Sequence, residues 1–295
     1  MKLYHTHLQE LKTIAVIAIK EAGDYISLQR SVHHRRIQKK GGNTVASKIV
    51  TTIDYRSQEI ILSHLIPTCA PFDIGLLTEE NIENDIHKGS RLVKDYFWCI
   101  DPLDGTLPFV EGNSGYAVSI ALVNKQGESV MGIVYDPVND VLYEAIKRLG
   151  CLRNSVKWEL SKPSNGCDFL FTTNRSFQKL PSYNPMKMKI EGLATSLQYS
   201  QVVERRYGGA VMNAIWILEE APGCYVALPK KEEGGGSIWD FAATACIFTE
   251  LGMPPTDYKG SPLLLNDKDT TFMNKQGVVY ASEAELMNGL LQFVV

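Results

Sequence analysis

The sequence predicts a layered fold of the α+β or α/β class. Runs with helical spacing and runs with strand character alternate in blocks, which favours helices packed on sheets over a helix bundle or a β-sandwich. The middle of the chain carries three short strand-like runs separated by turn sequences, a pattern typical of an antiparallel meander. With 295 residues, 44% of them hydrophobic, the chain can bury a large core in one domain or in two closely packed halves.

The first part of the chain predicts two helices followed by a strand. Apolar residues recur at helical spacing from Leu8 to Ile26, so this segment predicts an amphipathic helix. The basic run 30–43, "RSVHHRRIQKKGGN", predicts a solvated helix end and a loop, with a lid that contacts phosphate as the alternative. A second helix, "YRSQEIILSHLI", precedes the strand "FDIGLLTEEN", which runs into two glutamates.

The meander and two further helices complete the predicted elements. The meander comprises "GYAVSIALV", "SVMGIVYDP" and "VLYEAI". Helical spacing continues in "VMNAIWILEE" and in "DFAATACIFTELG", and Gly252 ends the second of these helices. A predicted boundary near residue 150 divides the chain into an N-terminal half, 1–150, and a C-terminal half, 151–295.

Composition excludes several classes of protein. A net charge of −3 and a pI near 6.1 give no basic field, so we expect no nucleic-acid polymer as a partner. The six cysteines are scattered without a C-x-x-C pair, which is typical of reduced core residues. Charged residues interrupt the N-terminal apolar segment, so we expect neither a signal peptide nor a membrane span. The expected location is therefore cytoplasmic.

Six acidic residues are predicted to lie where strands end or helices begin. They are Asp54, Glu79, Glu80, Asp101, Asp104 and Asp240. Two like charges 4 Å apart repel by roughly 4 kcal/mol at an effective dielectric constant of ~20, so a cluster of these carboxylates would need cations. Oxygen ligands without histidine or cysteine select Mg²⁺ or Mn²⁺ over zinc. The alternative explanation is a capped turn for Asp101 and Asp104, a solvated strand end for Glu79 and Glu80, and a helix N-cap for Asp240.

The motif "DPLDGT", residues 101–106, fits a metal site next to a phosphate site. Pro102 fixes the backbone between the two aspartates, and the carbonyl of Leu103 can serve as a further oxygen ligand. Gly105 allows a tight turn. If a helix starts after Thr106, the amides of Gly105 and Thr106 point at an anion above the metals, and phosphate is the expected anion.

Several motifs together resemble the inositol monophosphatase superfamily of metal-dependent, lithium-sensitive phosphomonoesterases. "WCIDPLDGT" is preceded by "LLTEEN" and followed late in the chain by "GGGSIWDFAA". "KIVTTID" resembles an early element of that family, and "GIVYDPVNDVLYEA" resembles its central hairpin. The resemblance covers nearly the whole chain. It implies an α-β-α-β-α sandwich of the sugar-phosphatase type and a possible homodimer.

The resemblance also implies a set of metal ligands. Glu79, Asp101 and the carbonyl of Leu103 would hold a first Mg²⁺. Asp101 would bridge to a second Mg²⁺, which Asp104 and Asp240 also hold. The expected cofactor is therefore Mg²⁺, with two or three ions.

Catalytic roles follow from the same resemblance. Glu80 would position the attacking water or a more loosely bound third metal. Asp54 would pair with the hydroxyl of Thr106, and this dyad would orient the water for attack on phosphorus. Gly105 and Thr106 would contact the phosphate of the substrate.

Substrate contacts in the second half of the chain are also implied by the resemblance. "RRYGGAVMNA" would place Gly208, Gly209 and Ala210 beside the leaving group, with a close contact between helices as the alternative. Glu233 occupies the position at which inositol-specific members hydrogen-bond a ring hydroxyl. A plain surface loop is the alternative for Glu233.

Two substrate classes stay open. A small phosphorylated polyol such as inositol monophosphate is favoured by Glu233. A 3'(2'),5'-bisphosphate nucleotide such as adenosine 3',5'-bisphosphate is favoured by the basic run near Arg35 and by the loop 112–116. A third, non-enzymatic alternative is an inactive scaffold that binds metal. It is disfavoured because all the expected metal ligands are present.

Overall fold

The computed structural model describes residues 2–40, 43–80, 89–160 and 166–294. For residues 31–40, 43–51 and 294 the description extends only to secondary structure. The elements, in chain order, are α1 (His5–Lys40), α2 (Asn43–Phe72), β1 (Ile74–Thr78), α3 (Ser90–Val93), β2 (Tyr96–Asp104), α4 (Thr106–Glu111), β3 (Ala117–Asn124), β4 (Ser129–Asp136), β5 (Val141–Ile146), β6 (Gly150–Arg153), β7 (Val156–Lys157), β8 (Phe169–Thr172), a 3₁₀ helix (Arg175–Lys179), α5 (Tyr183–Ser196), β9 (Val202–Arg205), α6 (Ala210–Glu219), β10 (Gly223–Ala227), α7 (Ile238–Glu250), β11 (Val278–Ala281), α8 (Ala284–Leu291) and a final 3₁₀ helix (Gln292–Val294).

The strands form two sheets. The first sheet has the order β1-β2-β3-β4-β5-β6-β7, in which β1 and β2 are parallel and all later neighbours are antiparallel. The predicted meander is therefore confirmed. The second sheet has the order β11-β10-β8-β9, with β8 parallel to both of its neighbours.

Helices cover both sheets and separate them. The pair α1 and α2 packs on one face of the first sheet, and α7 packs on its other face beside α6. Helix α6 also contacts β8 and β10 of the second sheet, whose outer side carries α5 and α8. Three hydrophobic clusters fill the spaces between these layers. The predicted α-β-α-β-α sandwich is confirmed, because each layer buries its apolar face against the next.

One core joins the two sheets. The central cluster includes Phe97 of the first sheet and Leu170 and Tyr280 of the second. The first sheet ends at Lys157 and the second begins at Phe169, so the change of sheet falls after the predicted boundary at residue 150. The division into two halves stays a prediction.

Two helices begin or end at other residues than the sequence predicts. The helix end expected in the basic run 30–43 falls late in it, because α1 continues to Lys40; residues 41–42, where the expected loop would lie, are outside the described residues. Arginine, lysine and glutamine are good helix formers, which explains the extension. Helix α2 begins at Asn43, so the predicted helix start at Asp54 is wrong and Asp54 lies inside the helix. No helix among the described residues has the length and apolar character needed to cross a membrane.

Candidate metal centre

Two carboxylates at the end of β2 and a third at the start of α7 converge in the fold. One ligand atom from each of Asp101, Asp104 and Asp240 lies within 4.8 Å of the others. Asp101 and Asp104 are 1% and 6% exposed, so their charges have little access to water. A cluster this tight and this buried needs counter-cations to stay ionised.

An irregularity in β2 presents the first two aspartates together. Asp101 pairs with Ser119 and Asp104 pairs with Ala117, so β2 carries one extra residue between them. The amide of Leu103 donates to Oδ1 of Asp101 at 3.0 Å, which fixes that carboxylate against the bulge.

The chain then turns from β2 directly into a helix. Gly105 has φ +83°, a left-handed conformation that favours glycine, and α4 begins at Thr106. A helix thus follows the "DPLDGT" motif, and it begins at Thr106 itself and not after it.

Asp240 enters the centre from the first turn of α7. Ser237 is the N-cap of this helix, and Asp240 is its third residue, with Oδ2 accepting the Ser237 amide at 2.5 Å in a capping box. The alternative that Asp240 is itself the N-cap is wrong. Because the capping box fixes the rotamer of Asp240, its other oxygen can face Asp101 and Asp104.

The N-terminus of α6 holds Asp104. The amide of Ala210 donates to Oδ1 of Asp104 at 3.0 Å, and the amide of Val211 donates to Oδ2 at 2.9 Å. A Cβ atom on Gly209 would lie 2.3 Å from the same carboxylate. The absence of a side chain at Gly209 is therefore what lets the helix approach Asp104 so closely, and this contact is not evident from the sequence.

Helix α2 brings Asp54 to the centre from the other side. Ser57 donates its hydroxyl to the carbonyl of Pro102 at 2.8 Å, and Oε1 of Gln58 accepts the amide of Glu80 at 3.3 Å. These hydrogen bonds join α2 to the "DPLDGT" motif and to Glu80. Asp54 lies one turn earlier on the same face of α2. Sequence reasoning did not identify Ser57 and Gln58, although their spacing of three and four residues from Asp54 is a detectable signal.

Glu79 and Glu80 follow β1, as predicted, and both are partly buried. Glu79 interacts with the side chain of Asp101. Asp101 also interacts with Asp240, so it lies between the two. This central position suits a ligand that bridges two ions.

Burial and mutual repulsion raise the pKa of these carboxyls. The pKa of Asp54 is raised to about 8, mainly by burial and further by the charges of Glu80 and Glu79. Burial and the charge of Asp240 raise the pKa of Glu79 to about 7. The pKa of Asp101 is raised well above its usual value by burial and by its carboxylate neighbours, Glu79 first. The centre therefore favours protons or cations over free negative charge.

The predicted pairing of Asp54 with Thr106 is not formed between these two described residues. The Thr106 hydroxyl donates to the carbonyl of Leu103 at 3.5 Å, and Oδ1 of Asp54 is buried without a hydrogen-bond partner. The start of α4 explains the difference, because a threonine there can donate to the carbonyl three residues earlier.

These residues fit a hard divalent cation. Every side-chain donor in the cluster is a carboxylate oxygen, and the Leu103 carbonyl lies on the same bulge. The Oδ1 atom of Asp54 is buried and has no hydrogen-bond partner, so it can accept a hydrogen bond from a water bound at the centre. The acidic cluster can therefore bind metal.

Comparison with known proteins identifies the family. The sequence model of the inositol monophosphatase family matches residues 7–294. The chain belongs to this family. The resemblance that the motifs indicated is therefore confirmed. Members of this family are phosphatases, so the protein is a hydrolase that acts on phosphate esters.

Relatives and solved structures extend over most of the chain. A Nus factor SuhB from Pseudomonas aeruginosa is 30% identical over 263 residues, 86% of this chain and 88% of the relative. An inositol-1-monophosphatase from Bacillus subtilis is 26% identical over 263 residues, 87% and 89% of the two chains. The inositol monophosphatase-II of Staphylococcus aureus superposes with a TM-score of 0.71 at 21% identity, covering 97% of this chain and 93% of that one. This structural likeness shows the shared fold.

The predicted substrate contacts in the second half of the chain lie at or before the starts of two helices, α6 and α7. Gly208 and Gly209 precede α6, and Ala210 is its first residue. A Cβ atom on Gly208 would meet Asn213 and Trp216 of α6 itself, and a Cβ atom on Gly209 would meet the carboxylate of Asp104. Glu233 is exposed on the loop before α7. Contact of these residues with a substrate stays a prediction.

Proposed function

We propose that the protein is a metal-dependent phosphomonoesterase that hydrolyses a small phosphorylated polyol, such as inositol monophosphate, with water as the nucleophile. The convergence of Asp101, Asp104 and Asp240 within 4.8 Å carries this proposal. Mg²⁺ is the proposed cofactor, with two or three ions, because the donors are oxygens only. The name of the Bacillus subtilis relative supports inositol monophosphate as the first substrate to test.

Residues of the chain are proposed to bind the phosphate, position the water and accept its proton. When bound, the ions would supply Lewis-acid chemistry that polarises the attacking water and stabilises charge on the phosphate and the leaving oxygen. Asp54 would accept a proton from the water through its unpartnered Oδ1. Glu80 would help to position that water, and the amides of Gly105 and Thr106 would hold the phosphate. The bonds from α6 keep Asp104 fixed during turnover.

A 3'(2'),5'-bisphosphate nucleotidase is the second candidate. The support for it is a set of cationic side chains, including Lys179 and Arg206, which lines a cleft beside Thr106. The polyol candidate gains no new support from Glu233, whose side chain is exposed. A cytoplasmic location and a homodimer stay part of the proposal.

Phosphate release decides between the candidates. Inositol 1-phosphate and adenosine 3',5'-bisphosphate are compared side by side in Mg²⁺, with added EDTA and with added lithium. We expect turnover that EDTA abolishes and lithium inhibits. The variant Asp101→Asn is compared with Asp269→Asn, which changes an exposed carboxyl outside the cluster. No hydrolysis of either ester in Mg²⁺ would contradict the proposal.

A further inference from the structure

The 112–116 segment, "GNSGY", connects α4 to β3 and lies against two parts of the metal centre. The carbonyl of Gly115 accepts the amide of Gly209 at 2.8 Å, directly before the helix start that holds Asp104. A Cβ atom on Gly105 would lie 2.7 Å from the same carbonyl oxygen. One carbonyl group therefore contacts both the turn at Gly105 and the residue that precedes α6.

Close packing limits how the 112–116 segment can move. A Cβ atom on Gly115 would lie 2.7 Å from the ring of Trp216 and 3.0 Å from the Cα atom of Gly208, so a shift towards α6 is blocked. A shift away from α6 would weaken the hydrogen bond to Gly209 and loosen the contact with the turn before α4. The position of the segment therefore affects both the proposed phosphate contact and the support of the carboxylate cluster.

The segment has little rigidity of its own. Gly112 and Gly115 have φ values of +72° and +102°, and glycine has the largest conformational freedom of all residues in the unfolded chain. Gly112 also caps the end of α4, so its carbonyl is one of those that a helix leaves without an intrahelical donor. A contact from another element would therefore fix this end of the segment.

Arg30 of α1 supplies such a contact. Its Nη2 atom donates to the carbonyl of Gly112 at 2.7 Å, and its guanidinium carbon lies 5.8 Å from the centre of the Tyr116 ring. The second distance is within the range of a cation–π contact. Tyr116 is fully buried and packs edge-on against Phe109 of α4, so the position of its ring is fixed. Arg30 thus holds both ends of the 112–116 segment.

These contacts give Arg30 a different role from the two that the sequence predicts for the basic run 30–43. A solvated helix end or a lid that contacts phosphate would leave the guanidinium free. The Arg30 side chain is half-buried, and it binds a carbonyl and a ring of the protein itself. A hydrogen bond from a charged donor is stronger than one from a neutral donor, so this contact can hold a glycine-rich segment in place.

We infer that Arg30 is a positioning residue for the proposed hydrolysis. By holding the 112–116 segment, it keeps the Gly115 carbonyl in contact with the turn before α4 and with the residue before α6. The inference rests on the proposed function, in which the Gly105 amide holds the phosphate and Asp104 holds metal. Arg30 acts on both groups through the segment and not by contact with the ester.

The test compares Arg30→Ala with Lys20→Gln as the matched control. Lys20 is exposed on the same helix about three turns earlier, and its ammonium group lies 5.7 Å from the centre of another ring, that of Tyr135. Hydrolysis of inositol 1-phosphate is measured in Mg²⁺. We expect Arg30→Ala to lower kcat/KM by roughly 10- to 100-fold, since a displacement of about 1 Å caused by a distant mutation can cost 10²-fold. The control should retain the kcat/KM of the unaltered protein.

Recovery of activity distinguishes positioning from a general loss of stability. Arg30→Lys keeps a cation that can donate to the Gly112 carbonyl and lie over the Tyr116 ring, so it should retain more of the activity than Arg30→Ala. Methylguanidinium ion added to Arg30→Ala should raise kcat/KM by occupying the space of the lost group. The same ion should leave the kcat/KM of Lys20→Gln unaltered.

Binding of inorganic phosphate gives a readout that does not need turnover. Calorimetry in Mg²⁺ should show an affinity that is roughly three- to tenfold weaker for Arg30→Ala, as the loss of about one hydrogen bond predicts. The reason is that the 112–116 segment packs directly on the turn at Gly105. Lys20→Gln should bind phosphate as the unaltered protein does.

The outcomes separate this inference from the proposed function. Unaltered kcat/KM and phosphate affinity in Arg30→Ala would overturn the inference, whatever its thermal midpoint. A loss of activity that neither Arg30→Lys nor methylguanidinium ion recovers would overturn it as well. If the unaltered protein hydrolyses no ester, the proposed function is refuted, and the phosphate affinity of the same variants still tests the role of Arg30.

Discussion

Gly209 is the position at which a single methyl group should disturb the metal centre most selectively. Its backbone has φ −63° and ψ 172°, which any residue can adopt, so Gly209→Ala introduces no backbone strain. The new Cβ atom would lie 2.3 to 2.6 Å from the carboxylate atoms of Asp104. Either Asp104 or the start of α6 must therefore move.

The size of the movement sets the expected effect. Ordinary contact begins at 3.4 Å, so the groups must separate by about 1 Å. Such a shift weakens the two hydrogen bonds that the backbone amides of Ala210 and Val211 donate to Asp104. The expected cost is about 1–3 kcal/mol in the free energy of unfolding. A ligand displaced by about 1 Å is expected to lower kcat/KM by roughly 10²-fold.

The assay measures kcat/KM, the Mg²⁺ concentration for half-maximal activity and the thermal midpoint. Gly192→Ala is the matched control, because Gly192 lies in α5 with no neighbouring atoms within 4 Å of a Cβ. Since alanine is a better helix former than glycine, the free energy of unfolding of the Gly192→Ala protein should rise by about 0.5–1 kcal/mol, and its activity should be retained. A Gly209→Ala protein with unchanged Mg²⁺ dependence and kcat/KM would refute the role assigned to this contact.

Three further predictions concern the same centre. Asp101→Asn should abolish phosphate release, because the central carboxylate of the cluster is lost; substantial turnover would exclude a bridging role. Thr106→Ala removes the hydroxyl that donates to the carbonyl of Leu103 but keeps the backbone amide proposed to hold the phosphate, so turnover should fall by less than about tenfold while Mg²⁺ binding, checked by calorimetry, persists. A much larger loss of turnover would assign the hydroxyl a catalytic role. In EDTA, the free energy of unfolding should fall as the pH rises, by about 1.4 kcal/mol per pH unit for each group between its unfolded and its folded pKa, which is from about 4 to 8 for Asp54 and from about 4.5 to 7 for Glu79. The folded protein holds protons on Asp54 (pKa about 8) and Glu79 (pKa about 7) that the unfolded chain has released. Mg²⁺ should remove this dependence, and a flat pH profile in EDTA would contradict the raised pKa values.

Local sequence features were sufficient to predict much of the centre. The "DPLDGT" motif predicted that Asp101 and Asp104 stand together at a turn into a helix, because proline, glycine and the strand end act within a few residues. Short strand-like runs separated by turn sequences predicted the meander, because turn residues also act within a few positions. The helix start at Asp54 was mispredicted, because the isoleucine, valine and threonine residues before it have low helix propensity.

Residues far apart in the sequence account for what could not be predicted. The bond from Ser57 to the Pro102 carbonyl joins α2 to the metal loop, and no local pattern near Pro102 indicates it. The bonds from the amides of Ala210 and Val211 to Asp104 likewise depend on how α6 and β2 are placed. Side-chain partners of this kind follow from the packing of whole elements.

The sequence by itself therefore determined the family, the layered fold and the identity of the acidic residues. Ligand types and short-range turns are encoded within a few neighbouring positions, so they can be recognised without coordinates. Only the tertiary structure decided that the start of α6 holds Asp104 and that Lys179 and Arg206 line a cleft beside Thr106. These contacts join segments separated by tens of residues, and their geometry arises when the layers bury their apolar faces together.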